Sequence, residues 1–139
     1  MKYLIIGLGN FGKTLAEELT DKGHDVIGVD INKHCVESIK DRIAVAYIMD
    51  TTERSALKAL PLHEIDSVVV AIGQSMDHSL RTVAALKELK VSSIYARALD
   101  QTHQSILQAM NIDKVFIPEC YAARLFADRF MKPNQNEMI

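Results

Sequence analysis

The sequence has no tryptophan, only 2 cysteines and 3 prolines, and no long hydrophobic run. No apolar stretch approaches the roughly 18 residues that a membrane-spanning helix requires, so we expect no direct insertion into a membrane. The first residues lack the basic and apolar segments of a signal peptide, which favours a cytoplasmic location. Cys35 and Cys120 lie far apart in the sequence and match no metal-binding spacing, so we expect two free thiols.

An excess of charge of one sign is also absent. The formal net charge is −2 and the lysines and arginines do not cluster, which argues against a nucleic-acid-binding surface. A chain of 139 residues, 48% of them hydrophobic, is typical of one globular domain. We expect residues 1–131 to form that domain, and residues 132–139 to be a flexible tail or the start of a linker to a missing C-terminal domain.

Strand-like and helix-like patterns alternate along the chain. The predicted strands cover residues 3–6, 25–30, 44–49, 67–72, 93–96 and 114–117. The predicted helices cover residues 13–22, 33–41, 53–60, 76–89, 101–110 and 121–130. This alternation implies an α/β fold with a parallel sheet covered by helices on both faces. Right-handed crossovers and a glycine-rich first turn favour a six-stranded Rossmann fold with strand order 3-2-1-4-5-6.

The glycine-rich turn GLGNFG follows the first predicted strand and precedes the first predicted helix. Its glycines fit the G-x-G-x-x-G pattern in the context that this pattern requires. Gly7 would allow a tight turn, Gly9 would leave room for a phosphate, and Gly12 would let the helix pack closely on the sheet. The free N–H groups of the helix start favour an anion. The turn therefore predicts a nucleotide phosphate site.

The second predicted strand ends in Asp30, where a carboxylate can accept hydrogen bonds from the hydroxyls of a ribose. A negative charge there disfavours the extra phosphate of NADP. Ile31 and Asn32 follow directly, and Asn32 either assists at the ribose or caps the next helix.

The third predicted strand ends in Asp50 and Thr51, at the edge of the crevice where an adenine ring would lie. Asp50 can accept a hydrogen bond from the adenine amino group. The alternative for Asp50 and Thr51 is capping of the short helix that begins near Glu53.

The fourth and fifth predicted strands bring further residues to the same end of the sheet. Ala71, Ile72 and Gly73 end the fourth strand, and Gly73 leaves room for a bound nucleotide. Arg97 ends the fifth strand and suits a phosphate, because ligands bind outside the carboxyl ends of parallel strands. Alternatively, Arg97 pairs with Asp100 or Glu119.

Catalytic motifs are missing beside this binding constellation. None of the 5 histidines lies in a recognisable acid–base or metal motif. His78 either faces the crevice from the start of the fourth helix or faces solvent, and the solvent-facing position is favoured. Binding without catalysis is therefore the favoured interpretation. Two rivals stay open: the nucleotide-binding half of an NAD-dependent dehydrogenase that lacks its substrate domain, and an assembly domain whose crevice binds nothing.

The strand-end motifs, taken in order, resemble those of the RCK/KTN domain. They are GLGNFG at 7–12, VDIN at 29–32, MDTTE at 49–53, VVVAIG at 68–73, YARA at 95–98 and IPE at 117–119. The resemblance covers essentially the whole chain. It implies a cytoplasmic regulatory domain of bacterial potassium channels or Trk/Ktr transporters, which binds NAD(H), AMP, ADP or ATP in the crevice and is not an enzyme.

The resemblance also assigns roles to individual residues. The turn, including Asn10 and Phe11, and Arg97 would bind the phosphates. The segment from Asp30 to Asn32 would bind the ribose, and Asp50 and Thr51 would lie at the edge of the adenine. ATP-responsive members often have an arginine after the second glycine, and Asn10 in its place favours NAD(H), AMP or ADP. Glu119 matches an acidic residue that helps to bind a cation in some members.

The last predicted helix carries apolar groups around much of its surface, including Tyr121, Leu125, Phe126 and Phe130. We expect one side of this helix to cover the sheet and the other side to contact a partner. The resemblance implies that the helix is a crossover helix, that the partner is a second copy of the chain, and that dimers assemble into an octameric ring beneath a membrane potassium channel or transporter subunit.

Overall fold

The computed structural model describes residues 1–131. Six parallel strands form one sheet in the order β3-β2-β1-β4-β5-β6. The strands are β1 (Lys2–Ile6), β2 (Asp25–Asp30), β3 (Val45–Ile48), β4 (Ser67–Val70), β5 (Ile94–Arg97) and β6 (Lys114–Phe116). The helices are α1 (Asn10–Asp21), α2 (Lys33–Glu37), α3 (Arg54–Lys58), α4 (Met76–Glu88), α5 (Gln101–Ala109) and α6 (Pro118–Phe130). The predicted Rossmann fold and strand order are confirmed.

Both faces of the sheet are covered, because the central strands carry apolar side chains on both sides. On one face, Ile5 and Val69 pack with Ala16 of α1 and Val36 of α2. On the other face the strands pack with residues of three helices, among them Leu57 of α3, Leu86 of α4 and Leu107 of α5.

Several element boundaries differ from the sequence prediction. Helix α1 begins at Asn10 instead of residue 13, because Gly9 is its N-cap and the glycine turn runs directly into the helix. Strand β4 ends at Val70 instead of residue 72, which leaves Ala71 and Ile72 in the loop above the sheet. Helix α2 ends at Glu37 instead of residue 41. The tail predicted at residues 132–139 lies outside the described residues.

The prediction that one side of α6 covers the sheet is wrong. No residue of α6 is buried, and every residue from 119 to 130 is exposed. The helix leaves the sheet after Ile117 and carries Tyr121, Leu125 and Phe126 into solvent, each more than half exposed. An amphipathic pattern predicts that a helix face will be covered, but it does not say by what.

Candidate functional site

The glycine turn owes its shape to two backbone constraints. Gly7 has a φ of +97°, and a Cβ there would lie 2.8 Å from the backbone carbon of Ala71, so only glycine fits. A Cβ on Gly12 would lie 1.8 Å from the carbonyl oxygen of Gly7, so helix α1 packs on the turn without a side chain between them. Gly9 has no neighbouring atom within 4 Å of its Cβ position, which leaves open space above the start of α1.

Asp30 joins this turn to the end of β2. Its Oδ2 accepts a hydrogen bond from the backbone N–H of Leu8 at 2.7 Å, and its Oδ1 accepts one from the N–H of Asn32 at 2.8 Å. Each carboxylate oxygen has a second lone pair, so both can still accept a hydrogen bond from a ribose hydroxyl. The predicted cap is confirmed as well, since Asn32 Oδ1 accepts hydrogen bonds from the N–H groups of His34 and Cys35.

Asp50 and Thr51 do not cap α3, whose N-cap is Glu53 without a side-chain hydrogen bond. Asp50 Oδ1 instead accepts hydrogen bonds from the backbone N–H and the hydroxyl of Thr52, at 3.0 and 2.6 Å. These bonds stabilise the charged form and lower the pKa of Asp50. The Thr51 hydroxyl lies 2.8 Å from that of Thr82 in α4, so this side chain is tied to the interior of the fold.

Arg97 lies at the end of β5 and is largely buried, with 16% of its side chain exposed. Its Nη2 donates a hydrogen bond to Glu119 Oε2 at 2.9 Å, which confirms one of the two predicted alternative pairings. Its guanidinium lies 6.0 Å from the centre of the Phe11 ring. A Cβ on Gly73 would lie 3.1 Å from Arg97 Nη1, so Gly73 makes room for the guanidinium in this structure.

A cavity of about 570 Å³ collects these residues at the carboxyl end of the sheet. This volume lies within the usual range for small-molecule sites. With the exception of Gly12, every site residue predicted from the sequence lines the cavity: Gly7, Gly9, Asn10, Phe11, Asp30, Ile31, Asn32, Asp50, Thr51, Ala71, Ile72, Gly73, Arg97 and Glu119. Their predicted roles in binding stay predictions.

The cavity also contains residues that are not among the predicted site residues. His78 is half-buried and lines the cavity from the first turn of α4, so the structure shows the crevice position and not the favoured solvent-facing one. Ser75 caps α4 by accepting a hydrogen bond from the N–H of His78, and this cap is the sequence signal that places His78 beside the crevice. Cys35 lines the cavity from α2, and burial together with the nearby Asp30 carboxylate raises the pKa of its thiol.

The cation site predicted at Glu119 has few ligands of its own. Its carboxylate is already paired with Arg97. Within residues 1–131, no group of three His, Cys, Asp or Glu side chains is arranged to hold a metal ion. A cation held at Glu119 would therefore need further oxygen ligands from water, from a phosphate or from another chain, and the role of Glu119 stays a prediction.

Comparison with solved structures supports the fold. The NAD(P)-binding domain of an exopolyphosphatase-related protein from Archaeoglobus fulgidus is 25% identical, with a TM-score of 0.80 over 93% of this chain and 96% of that one. The AMP-bound form of a Kef C-terminal domain from Shewanella denitrificans has a TM-score of 0.77 at 20% identity, over 94% of this chain and 80% of that one. The GsuK channel bound to NAD has a TM-score of 0.73 at 16% identity, over 83% of this chain and 21% of that one.

Sequence comparison identifies relatives in potassium uptake. Ktr system potassium uptake protein C of Bacillus subtilis is 33% identical over 96% of this chain and 60% of its own length. Protein A of the Ktr system from the same organism is 34% identical over 85% of this chain and 53% of its own length. The chain therefore spans between half and two thirds of these relatives. The sequence model of the TrkA-N domain family matches residues 3–118, and this chain belongs to that family.

Proposed function

We propose that this chain is a ligand-sensing regulatory domain of a potassium uptake system and that NAD(H) or an adenine nucleotide binds in the crevice at the carboxyl end of the sheet. The observation that carries the proposal is the cavity itself. It combines an open glycine turn for phosphate, a carboxylate for ribose hydroxyls and a carboxylate at the adenine edge. Relatives that work in potassium uptake and structural neighbours that hold NAD or AMP agree with this assignment.

Asp30 and Asn10 bear on which nucleotide binds. We propose that the Asp30 carboxylate, which lines the cavity, faces the ribose hydroxyls, so that the extra phosphate of NADP would meet a like charge. Asn10 is exposed at the start of α1 and carries no charge to pair with a terminal phosphate. Both residues favour NAD(H), AMP or ADP over NADP and ATP.

The mechanism that we propose is a population shift without catalysis. A nucleotide that binds one arrangement of the domains more tightly than another favours that arrangement and so biases an attached transport protein. We propose a potassium channel or transporter subunit as that protein, and a cytoplasmic position beside it at the inner face of the membrane. Within residues 1–131, no helix is both long enough and apolar enough to cross a membrane.

We further propose that a second copy of the chain covers α6. The exposed apolar side chains of this helix form a patch that includes Tyr121, Leu125, Phe126, Phe130 and Met131. Contiguous exposed patches of this kind mark interaction sites on soluble proteins. Dimers formed in this way are the units from which we propose an octameric ring.

Isothermal titration calorimetry of the purified chain with NAD⁺, NADH, AMP, ADP and ATP tests the proposed ligand, together with mass spectrometry of any molecule released on denaturation. Gly9→Ala places a methyl group in the space kept open above α1, at a φ of −74° that alanine adopts readily. We expect this variant to fold normally and to lose affinity by about tenfold or more, since a misplaced group at a phosphate site costs at least about 1.4 kcal/mol.

Asp30→Asn and Asp25→Asn form a matched pair on β2. Asp30 lies at the cavity end of the strand, and Asp25 is exposed at its other end. We expect Asp30→Asn to weaken nucleotide binding and Asp25→Asn to leave it unchanged. Absence of binding by all five nucleotides would overturn the proposal.

A further inference from the structure

Few contacts connect helix α6 to the rest of the described chain. Its residues from 119 to 130 are exposed, so packing against the sheet does not hold them. Among residues 1–131, the pair between Arg97 and Glu119 is the sole side-chain hydrogen bond or ion pair that links α6 to the sheet and the other helices. Apart from the covalent connection through Ile117, the position of α6 relative to the cavity depends on this pair.

The two partners of this pair are held very differently. The guanidinium of Arg97 lies between the Phe11 ring and the backbone of Gly73, where the missing side chain of glycine leaves room for it. Glu119 is 71% exposed at the side chain and lies in the first turn of a helix, where its negative charge is favourable without a partner. If the pair opens, Arg97 stays at the cavity and Glu119 moves.

Arg97 is also incompletely paired on the edge that Glu119 uses. A guanidinium presents Nε–H and Nη2–H side by side, and this edge matches two oxygens of a carboxylate or phosphate. Glu119 accepts only from Nη2. Within the described part of the chain, Arg97 Nε is buried and has no hydrogen-bond partner. A phosphate that accepted from both nitrogens would satisfy a donor that Glu119 leaves unpaired.

We propose that a phosphate of the bound nucleotide and Glu119 compete for Arg97, so that binding releases Glu119 and frees the first turn of α6 from the cavity wall. This inference rests on the proposed function, because it assumes that a nucleotide occupies the crevice. The Arg97–Glu119 pair would then be the contact through which nucleotide binding in the cavity changes the position of α6. No bond other than hydrogen bonds changes, and the net charge of the pair is unaffected.

Glu119→Gln tests the competition by calorimetry with ADP and, in parallel, with adenosine, which lacks a phosphate. The variant removes the competing charge, so we expect it to bind ADP about threefold to fivefold more tightly than the wild type, the size expected for a pair with one exposed partner. Adenosine affinity is expected to stay unchanged. The exposed position of Glu119 makes loss of folding in this variant unexpected.

Two variants of Arg97 distinguish competition from simple repulsion between Glu119 and phosphate. Arg97→Lys keeps the positive charge but loses the two-nitrogen edge, so ADP affinity should fall while adenosine affinity is kept. Arg97→Gln leaves no cation for which Glu119 and phosphate can compete, so in this background Glu119→Gln should no longer tighten ADP binding as it does in the wild type. If it tightens ADP binding equally in both backgrounds, the effect is through-space repulsion and the competition is overturned.

Hydrogen exchange across residues 117–124 supplies an independent readout. ADP should accelerate exchange of the first α6 amides in the wild type, whereas Glu119→Gln should exchange fast with or without ADP. ADP binding with unchanged exchange in the wild type would overturn the inference while leaving the proposed function intact. Failure of NAD⁺, NADH, AMP, ADP and ATP alike to bind would instead remove the proposed function.

Discussion

The sheet together with helices α1 to α5, which we call the sheet domain, buries large apolar side chains, whereas helix α6 exposes them. In the sheet domain, Leu107 of α5 is 0% exposed and packs beneath the sheet, whereas Leu125 of α6 is 53% exposed. Both residues lie in amphipathic helices that follow or precede a strand at the same edge of the sheet. The difference shows that the sheet with α1 to α5 completes its core without α6.

The largest effect is expected at Gly12 of the glycine turn, where the backbone leaves no space for an added atom. Gly12→Ala would place a Cβ 1.8 Å from the carbonyl oxygen of Gly7, and because that neighbour is backbone, helix α1 must shift. We expect a loss of about 3 kcal/mol or more in the free energy of unfolding, measured by urea denaturation.

Gly9→Ala is the matched control, since its added methyl group meets no atom within 4 Å. It should unfold at nearly the wild-type urea concentration. Equal destabilisation by the two variants would show that the turn is sensitive to any side chain and not to the specific contact with Gly7.

The two leucines test the comparison directly. Leu107→Ala removes a fully buried side chain and should lower the free energy of unfolding by about 2–5 kcal/mol. Leu125→Ala should change it by less than about 0.5 kcal/mol when measured at a concentration where the chain is monomeric. A large loss in Leu125→Ala under those conditions would mean that α6 belongs to the core after all.

Lowering the pH is expected to have a smaller effect on the free energy of unfolding, because a histidine is buried in the interior of the sheet domain. His103 is 0% exposed, its Nδ1 accepts a hydrogen bond from the N–H of Leu99 at 2.9 Å, and its Nε2 lies 3.0 Å from Ser79 Oγ. Because Nδ1 accepts, Nε2 carries the proton and donates to Ser79. Burial disfavours the charged ring and lowers the pKa of His103, against a smaller opposing effect of Asp100.

The sign of the pH dependence follows from this lowered pKa. The pKa of a histidine in an unfolded chain is about 6.5, and below that pH the unfolded chain binds a proton that the folded chain excludes. The contribution of neutral His103 to the free energy of unfolding is therefore fully present above that pH and is lost as the pH falls through the lower pKa of the folded chain. We expect urea denaturation to give a lower free energy of unfolding at about pH 5 than at about pH 7.5. His103→Gln should lose most of this dependence. The lowered pKa of Asp50 acts only near and below its ordinary value of 3.8, outside this window.

The fold was predictable because the local and the global signals agree. The β-branched segment around Val69 and the glycine turn before Gly12 each predict the same parallel sheet, and the strand order follows from handedness. The cavity lining was predictable for the same reason, since strand ends such as Asp30 and Arg97 meet at one edge of a parallel sheet.

What the sequence could not supply is the direction in which helices and side chains turn. The Ser75 cap places the first turn of α4 beside the crevice, but α4 carries both exposed and buried residues, and its packing decides that His78 faces the cavity. Thr51 lines the cavity as its position predicts, but its hydroxyl also lies 2.8 Å from that of Thr82 on the neighbouring helix, a contact that the strand pattern does not predict. These outcomes depend on contacts between residues distant in sequence, which strand and helix patterns do not encode.

The smallest effect on the sheet domain is expected from changes on the α6 patch, and it sharpens the comparison most. Phe126 and Phe130 lie one turn apart, with ring centres 4.8 Å apart, and both are about half exposed. The double variant Phe126→Ser and Phe130→Ser should leave the free energy of unfolding of the monomer within about 0.5 kcal/mol of the wild type. Sedimentation velocity over a range of concentrations should show a dimer for the wild type and a monomer for the variant. A wild-type chain that stays monomeric at all concentrations would remove the second copy as the partner of α6, and a variant that still dimerises would place the interface elsewhere on the domain.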